Sequence, residues 1–199
     1  MRKIDGEKCE GDLGVNSVCT YKGLRFILSG VGTLGEDSEN YIEETLPNEN
    51  YAWQICSWHK NQRLIQVGEK KDEVGWESYE TCRKNGAFIT TGHEHSYSRT
   101  HLLSDFENQT VASVSNTLEI EKGKTFVFVS GMGGHSIRPQ NDELAKNPWW
   151  ASMYTATQNA KPGALFCSFN PEGKKNKAEC YFKDIAGNTP DKFVIVNKN

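Results

Sequence analysis

Two short apolar stretches with an amphipathic one between them set the topology of this chain. Residues 51–57, centred on Trp53-Gln54-Ile55-Cys56, and residues 87–91, opening on Ala87-Phe88-Ile89, have the length and the aromatic and β-branched content of buried strands. From Glu73 to Asn85 the intervening segment carries Trp76, Tyr79 and Cys82 on one face of a helix. A strand, a crossing helix and a second strand require parallel strands joined by a right-handed crossover. Side chains just past the two strands then meet at one sheet edge.

Histidines occupy those positions. His59 follows the first strand, and the second runs into Gly92-His93-Glu94-His95-Ser96-Tyr97-Ser98-Arg99-Thr100. Imidazoles suit zinc, iron, manganese or copper, and Gly92 lets the backbone turn sharply enough to aim both rings at one place. In open sheets of this kind ligands bind beyond the carboxyl ends of the strands, so three of the five histidines converge. A bare His-x-His pair also fits two polar loop residues, and the strand assignments favour convergence.

With 199 residues, 36% hydrophobic and 25% charged, the chain fits one globular domain over 1–199, with a polar, Gly-rich lead-in at 1–22 expected to be irregular. A net charge of −3 with mixed signs gives no nucleic-acid footprint. No apolar run is long enough to span a bilayer, and Met1-Arg2-Lys3-Ile4-Asp5 does not begin a signal peptide. Six cysteines fall into the local pairs Cys9 with Cys19, Cys56 with Cys82 and Cys167 with Cys180, out of fifteen connectivities that six allow. Asn108-Gln109-Thr110 is an N-glycosylation sequon. Together these point to the secretory pathway, with the leader missing from the chain; a reduced cytoplasmic protein is the alternative.

Along the chain, Leu24 to Leu28 reads as a strand ending in a tight glycine-rich connection, Ser29 to Gly35, and Ser38 to Leu46 as a helix stopped by Pro47. After Thr100 the pattern becomes short strands at 111–114, 117–120, 125–129, 164–169, 178–182 and 193–196, so the back half should be mainly antiparallel. The aromatic segment Asn147 to Tyr154 reads as a loop that packs on the sheet or walls a substrate. Gly131-Met132-Gly133-Gly134-His135-Ser136-Ile137-Arg138 follows a strand, so His135 or Arg138 can meet an anionic substrate at the site edge; a turn with solvent-facing polar groups is the alternative.

Trp58-His59-Lys60-Asn61, the 91–100 run, and the strands Gly163-Ala164-Leu165-Phe166 and Phe182-Lys183-Asp184-Ile185 together resemble the calcineurin-like metallophosphoesterases, including the purple acid phosphatase branch. The resemblance spans about 24 to 196 and implies an α/β chain: part of a metallophosphoesterase β-sandwich with flanking helices, a βαβ front part and a mainly antiparallel back part. It further implies a centre of two divalent or trivalent ions (iron, zinc or manganese) hydrolysing a phosphomonoester or phosphodiester. His59 and His93 would hold one metal and His95 the other, Arg99 would buttress the loop, and Glu94 would face away.

The chain also departs from that pattern. An Asp-x-His or Asp-x-Asp strand end, the Gly-Asp with its bridging Asp and a Gly-Asn-His-Asp/Glu motif are incomplete, and Gly11-Asp12 is followed by Leu13-Gly14-Val15. The reading is of a carboxyl-terminal half, with Met1 falling just after the expected Gly-Asn-His-Asp and no complete catalytic set in the chain. Three neutral imidazoles leave the repulsion between two cations uncompensated, so anionic ligands must come from elsewhere. That leads to a phosphoesterase half completed by another polypeptide or by self-association. Against it stands a degenerate, non-catalytic domain used for binding or self-assembly. A serine or cysteine hydrolase is disfavoured by the absence of a Gly-x-Ser-x-Gly elbow.

Overall fold

The computed structural model describes residues 7–47 and 50–199. In chain order it contains β1 (Glu7–Asp12), β2 (Asn16–Tyr21), β3 (Leu24–Ser29), α1 (Ser38–Thr45), β4 (Trp53–Ser57), α2 (Glu77–Lys84), β5 (Phe88–Thr91), β6 (Tyr97–Thr100) and β7 (Leu102–Asp105). These are followed by β8 (Thr110–Ser113), β9 (Thr117–Ile120), β10 (Val127–Ser130), β11 (Trp150–Tyr154), β12 (Gly163–Phe169), β13 (Lys177–Asp184) and β14 (Asp191–Asn197). Among the described residues one sheet of eight strands has the order β1-β2-β3-β4-β5-β10-β6-β11, and a second of four runs β12-β13-β14-β9.

The anticipated strand-helix-strand unit is present. β4 pairs parallel to β5, and β3 and β10 extend the parallel block on either side. Alternation along the strands divides the apolar side chains between two cores. Cys56, Ile89, Val127 and Val129 face α1 and α2, packing with Ile42, Tyr79 and Cys82. Trp53, Ile55, Phe88 and Phe128 face the smaller sheet and meet Leu118, Cys180, Phe193 and Ile195. The molecule is therefore a β-sandwich with helices covering one outer face, and its back half is mainly antiparallel through β6, β7, β8, β12, β13 and β14.

Three local readings change. The lead-in is not irregular where it is described: β1 and β2 form a hairpin, paired from Glu7–Tyr21 to Asp12–Asn16 and tied by Cys9–Cys19, while residues 1–6 lie outside the described residues. The middle helix begins at Glu77, not Glu73, which leaves residues 66–76 to run past the site. The 147–154 segment ends as strand β11, with Trp149 fully buried, so it packs as part of the sheet.

All six cysteines are bonded in the expected pairs. Cys56–Cys82 staples β4 to α2, and Cys167–Cys180 crosses β12 and β13. No described helix is long and apolar enough to cross a membrane.

Candidate functional site

Backbone pairing continues past the ends of β4 and β5 and fixes the two loops against each other. Trp58 N–H donates to Thr90 O at 3.3 Å and Gly92 N–H to His59 O at 3.2 Å. Fully buried Asn61 adds a side-chain link, donating to Gly92 O at 2.9 Å and accepting from the Tyr79 hydroxyl of α2 at 3.1 Å. The sharp turn is made by His93 itself, at φ 63°, rather than by Gly92. Glu94 N–H donates to Gly92 O at 2.7 Å and Ser96 N–H to Glu94 O at 2.8 Å, two tight turns in succession. His93 thus holds a left-handed backbone that non-glycine residues seldom adopt, and such strain collects at functional sites.

The turn brings two of the three candidate imidazoles together. His59 Nε2 and His93 Nδ1 lie 3.3 Å apart, and the far nitrogen of His93, Nε2, lies 2.7 Å from Glu73 Oε2. Glu73 is in turn paired with Lys60 Nζ at 3.0 Å, and Lys70 Nζ donates to His93 O at 2.9 Å. Burial lowers the pKa of His93, with Lys70 adding to the effect and Glu73 opposing it. Burial pushes the Glu73 carboxyl up, but the Lys60 hydrogen bond and His93 outweigh it and hold it below the usual value. The close approach of Glu73 to Nε2 leaves Nδ1 as the nitrogen of His93 that faces His59.

His95 belongs to a different grouping. Its ring packs against His135, with centroids 4.8 Å apart, and its carbonyl accepts from Arg138 N–H at 2.9 Å. His95 Nδ1 is buried without a partner among the described residues. His135 and Arg138 therefore stand beside His95, and the glycine-rich 131–138 loop reaches the site edge. Gly131 is required there, because a Cβ would fall 1.9 Å from Glu94 O. Among the described residues no group of three or more His, Cys, Asp or Glu side chains stands ready to hold a metal ion.

Glu94 is fully buried, and both carboxyl oxygens lack a hydrogen bond among the described residues. Burial raises its pKa, with Arg138 and Lys70 as the opposing charges. Arg99 lies under the loop, fully buried, with Nε and Nη2 at 2.7 and 2.9 Å from the Asp191 carboxylate. Tyr97 donates to the same carboxylate at 2.6 Å, so β6 of the large sheet is bound to β14 of the small one. Asn108 is exposed in the β7–β8 turn beside Asp105. Gly11 and Asp12 close β1 three strands from β4, about 14 Å at the usual strand spacing.

Lys70, Glu73 and Asn61 are given no role at the sequence level, although each bonds directly to the 92–93 turn. Asn61 stands inside the Trp58-His59-Lys60-Asn61 motif, and Glu73 reads from sequence as the first turn of a helix. Its true place, in a loop before α2, shows only once the helix start is known.

No protein-family model and no curated protein sequence matches the chain. Solved structures do. Purple acid phosphatase PPD1 from yellow lupin (Lupinus luteus) seeds superposes with a TM-score of 0.71 at 16% identity, over 90% of this chain and 32% of that one. PhoD superposes with a TM-score of 0.55 at 13% identity, over 93% of this chain and 41% of that one. At these identities the likeness is one of fold: the chain has a phosphoesterase-like fold and spans about a third of the lupin enzyme's length.

Proposed function

We propose that this chain carries the histidine-bearing part of a metal-dependent phosphoesterase site, acting on a phosphomonoester or phosphodiester. One observation carries the reading: the 3.3 Å separation of His59 Nε2 and His93 Nδ1 at the carboxyl rim of parallel strands. Two imidazole nitrogens each about 2.0–2.1 Å from one zinc, in tetrahedral arrangement, are about 3.3 Å apart. The donor set suits zinc, iron or manganese. Glu73 on the remote nitrogen of His93 is the usual carboxylate support for a ligating histidine. The fold likeness to a phosphatase supports the same conclusion.

A bound ion would polarise a phosphoryl oxygen and acidify a water molecule. The chain's own residues do the rest. His59 and His93 supply the donors, Glu73 fixes the ring of His93 so that Nδ1 faces His59, and Lys60 fixes Glu73. His135 and Arg138 stand where an anionic ester meets the 131–138 loop. His95 is held nearby for a second ion, whose carboxylate ligands come from the rest of a longer polypeptide, a complementing chain or a second copy. The disulfides and the exposed Asn108 sequon support passage through the secretory pathway, where Asn108 bears a glycan.

A non-catalytic domain used for binding or self-assembly is favoured by one feature: both ring nitrogens of His93 are already engaged, by His59 and by Glu73. Metal analysis and turnover of a chromogenic phosphate ester separate the two readings. Bound metal lost in His59→Ala and His93→Ala, with turnover once the carboxylate-bearing polypeptide is supplied, supports the phosphoesterase; no metal and no turnover under the same conditions leave the binding domain.

A further inference from the structure

We infer that Lys70 and Arg138, with His135 beside them, form a subsite that takes a phosphate group directly, without a metal ion. The inference rests on the phosphoesterase reading only for the identity of the anion. Lys70, from the loop before α2, bonds His93 O, and Arg138, from the loop after β10, bonds His95 O, so two cationic residues from separate segments flank the same turn.

Lys70 is anchored through its ammonium and Arg138 through its backbone, and both keep donors to spare. Lys70 uses one donor on His93 O at 2.9 Å, and an ammonium has three. The Arg138 backbone is clamped, with N–H on His95 O and its carbonyl accepting from Ala156 N–H, both at 2.9 Å. Its guanidinium makes no hydrogen bond or ion pair with a described residue, which leaves a five-donor fork. Neither nearby acid neutralises the two cations through a direct bond. Glu73 is held by Lys60 and His93, while Glu94 is buried with both oxygens unpaired and feels Lys70 and Arg138 only through space. A guanidinium fork, an ammonium and an imidazole gathered around one turn suit a tetrahedral oxyanion such as a phosphoryl group.

The test is calorimetric titration of the full chain with inorganic phosphate in excess chelator, repeated with phenyl phosphate to separate free phosphate from an ester. Saturable binding in chelator is the expected result, weakened about tenfold or more by Lys70→Gln or Arg138→Gln. Binding should recover partly in Arg138→Lys and stay unchanged in Lys124→Ala, whose ammonium pairs with Glu121 at the opposite end of β10. Near-ultraviolet circular dichroism confirms that each variant is folded. Phosphate binding that vanishes in chelator, or that ignores both substitutions, overturns the inference. Zinc binding without chelator-resistant phosphate binding sinks this inference alone; chelator-resistant phosphate binding without zinc binding sinks the metal-site reading alone.

Discussion

Replacing Asp191 by alanine removes the anion that satisfies a fully buried arginine, and the cost follows from the hydrogen bonds that carboxylate accepts. Arg99 would give up bonds at 2.7 and 2.9 Å and Tyr97 its acceptor at 2.6 Å, while the guanidinium stays inside the sandwich with Asn116 and a backbone carbonyl as hydrogen-bond acceptors and the Phe193 ring against its face. Breaking a buried pair by removing one partner costs about 3–5 kcal/mol, because the remaining charge has neither water nor a counterion. For a domain of this size each kcal/mol moves Tm by about 2–4 °C, so Asp191→Ala should melt about 6–20 °C lower. Urea denaturation followed by far-ultraviolet circular dichroism gives the free energy, and a thermal scan gives Tm. The double variant Arg99→Met/Asp191→Leu removes the orphaned charge and should recover a large part of the stability. A single-variant loss below about 1 kcal/mol, or a double variant no more stable than the single, would refute the view that this pair binds β6 to β14.

Removing the Cys56–Cys82 staple by double alanine substitution should cost about 3–4 kcal/mol by loop entropy, more than either cross-strand bridge, as urea titration of the three double variants would show. Burial pushes the Asp184 carboxyl up, but bonds from Asn188, Tyr154 and the Ala186 amide outweigh it and hold its pKa below the usual value. A depressed folded pKa stabilises above the unfolded pKa and that stability is lost as pH falls through the folded value. Tyr154→Phe should therefore move the acid-unfolding midpoint to higher pH, and an unchanged midpoint would contradict the assignment. Expressed through a secretory pathway, the chain should show a glycan mass removed by an amidase specific for Asn-linked sugars, and Asn108→Gln should abolish it; intact mass spectrometry decides.

Whether an element was legible in the sequence depended on whether local pattern or distant pairing determines it. The β4-α2-β5 unit was legible because apolar strands and a three-residue helical spacing are local signals. β1 was not, since Glu-Lys-Cys-Glu-Gly-Asp is a polar edge strand with little to bury, and the segment reads as irregular until its pairing with β2 is seen. β6 hides for the opposite reason: Ser98, Arg99 and Thr100 are polar yet fully buried, and what permits the burial of Arg99 is Asp191, 92 residues away. At the site, the meeting of His59 and His93 follows from strand order alone. The packing of His95 on His135 depends on the distant 131–138 loop, and the support by Lys70 and Glu73 on a loop whose sequence reads in part as helix.

Whether His59 and His93 together grip one metal ion is decided by zinc titration of the chain, followed through its histidine ring nitrogens. His59 Nε2 and His93 Nδ1 should shift together and saturate at one zinc per chain, with the response lost in either alanine variant. If both rings stay silent, or the zinc-dependent shifts fall on His101 and His135 instead, the pair is a hydrogen-bonded contact and not a metal site.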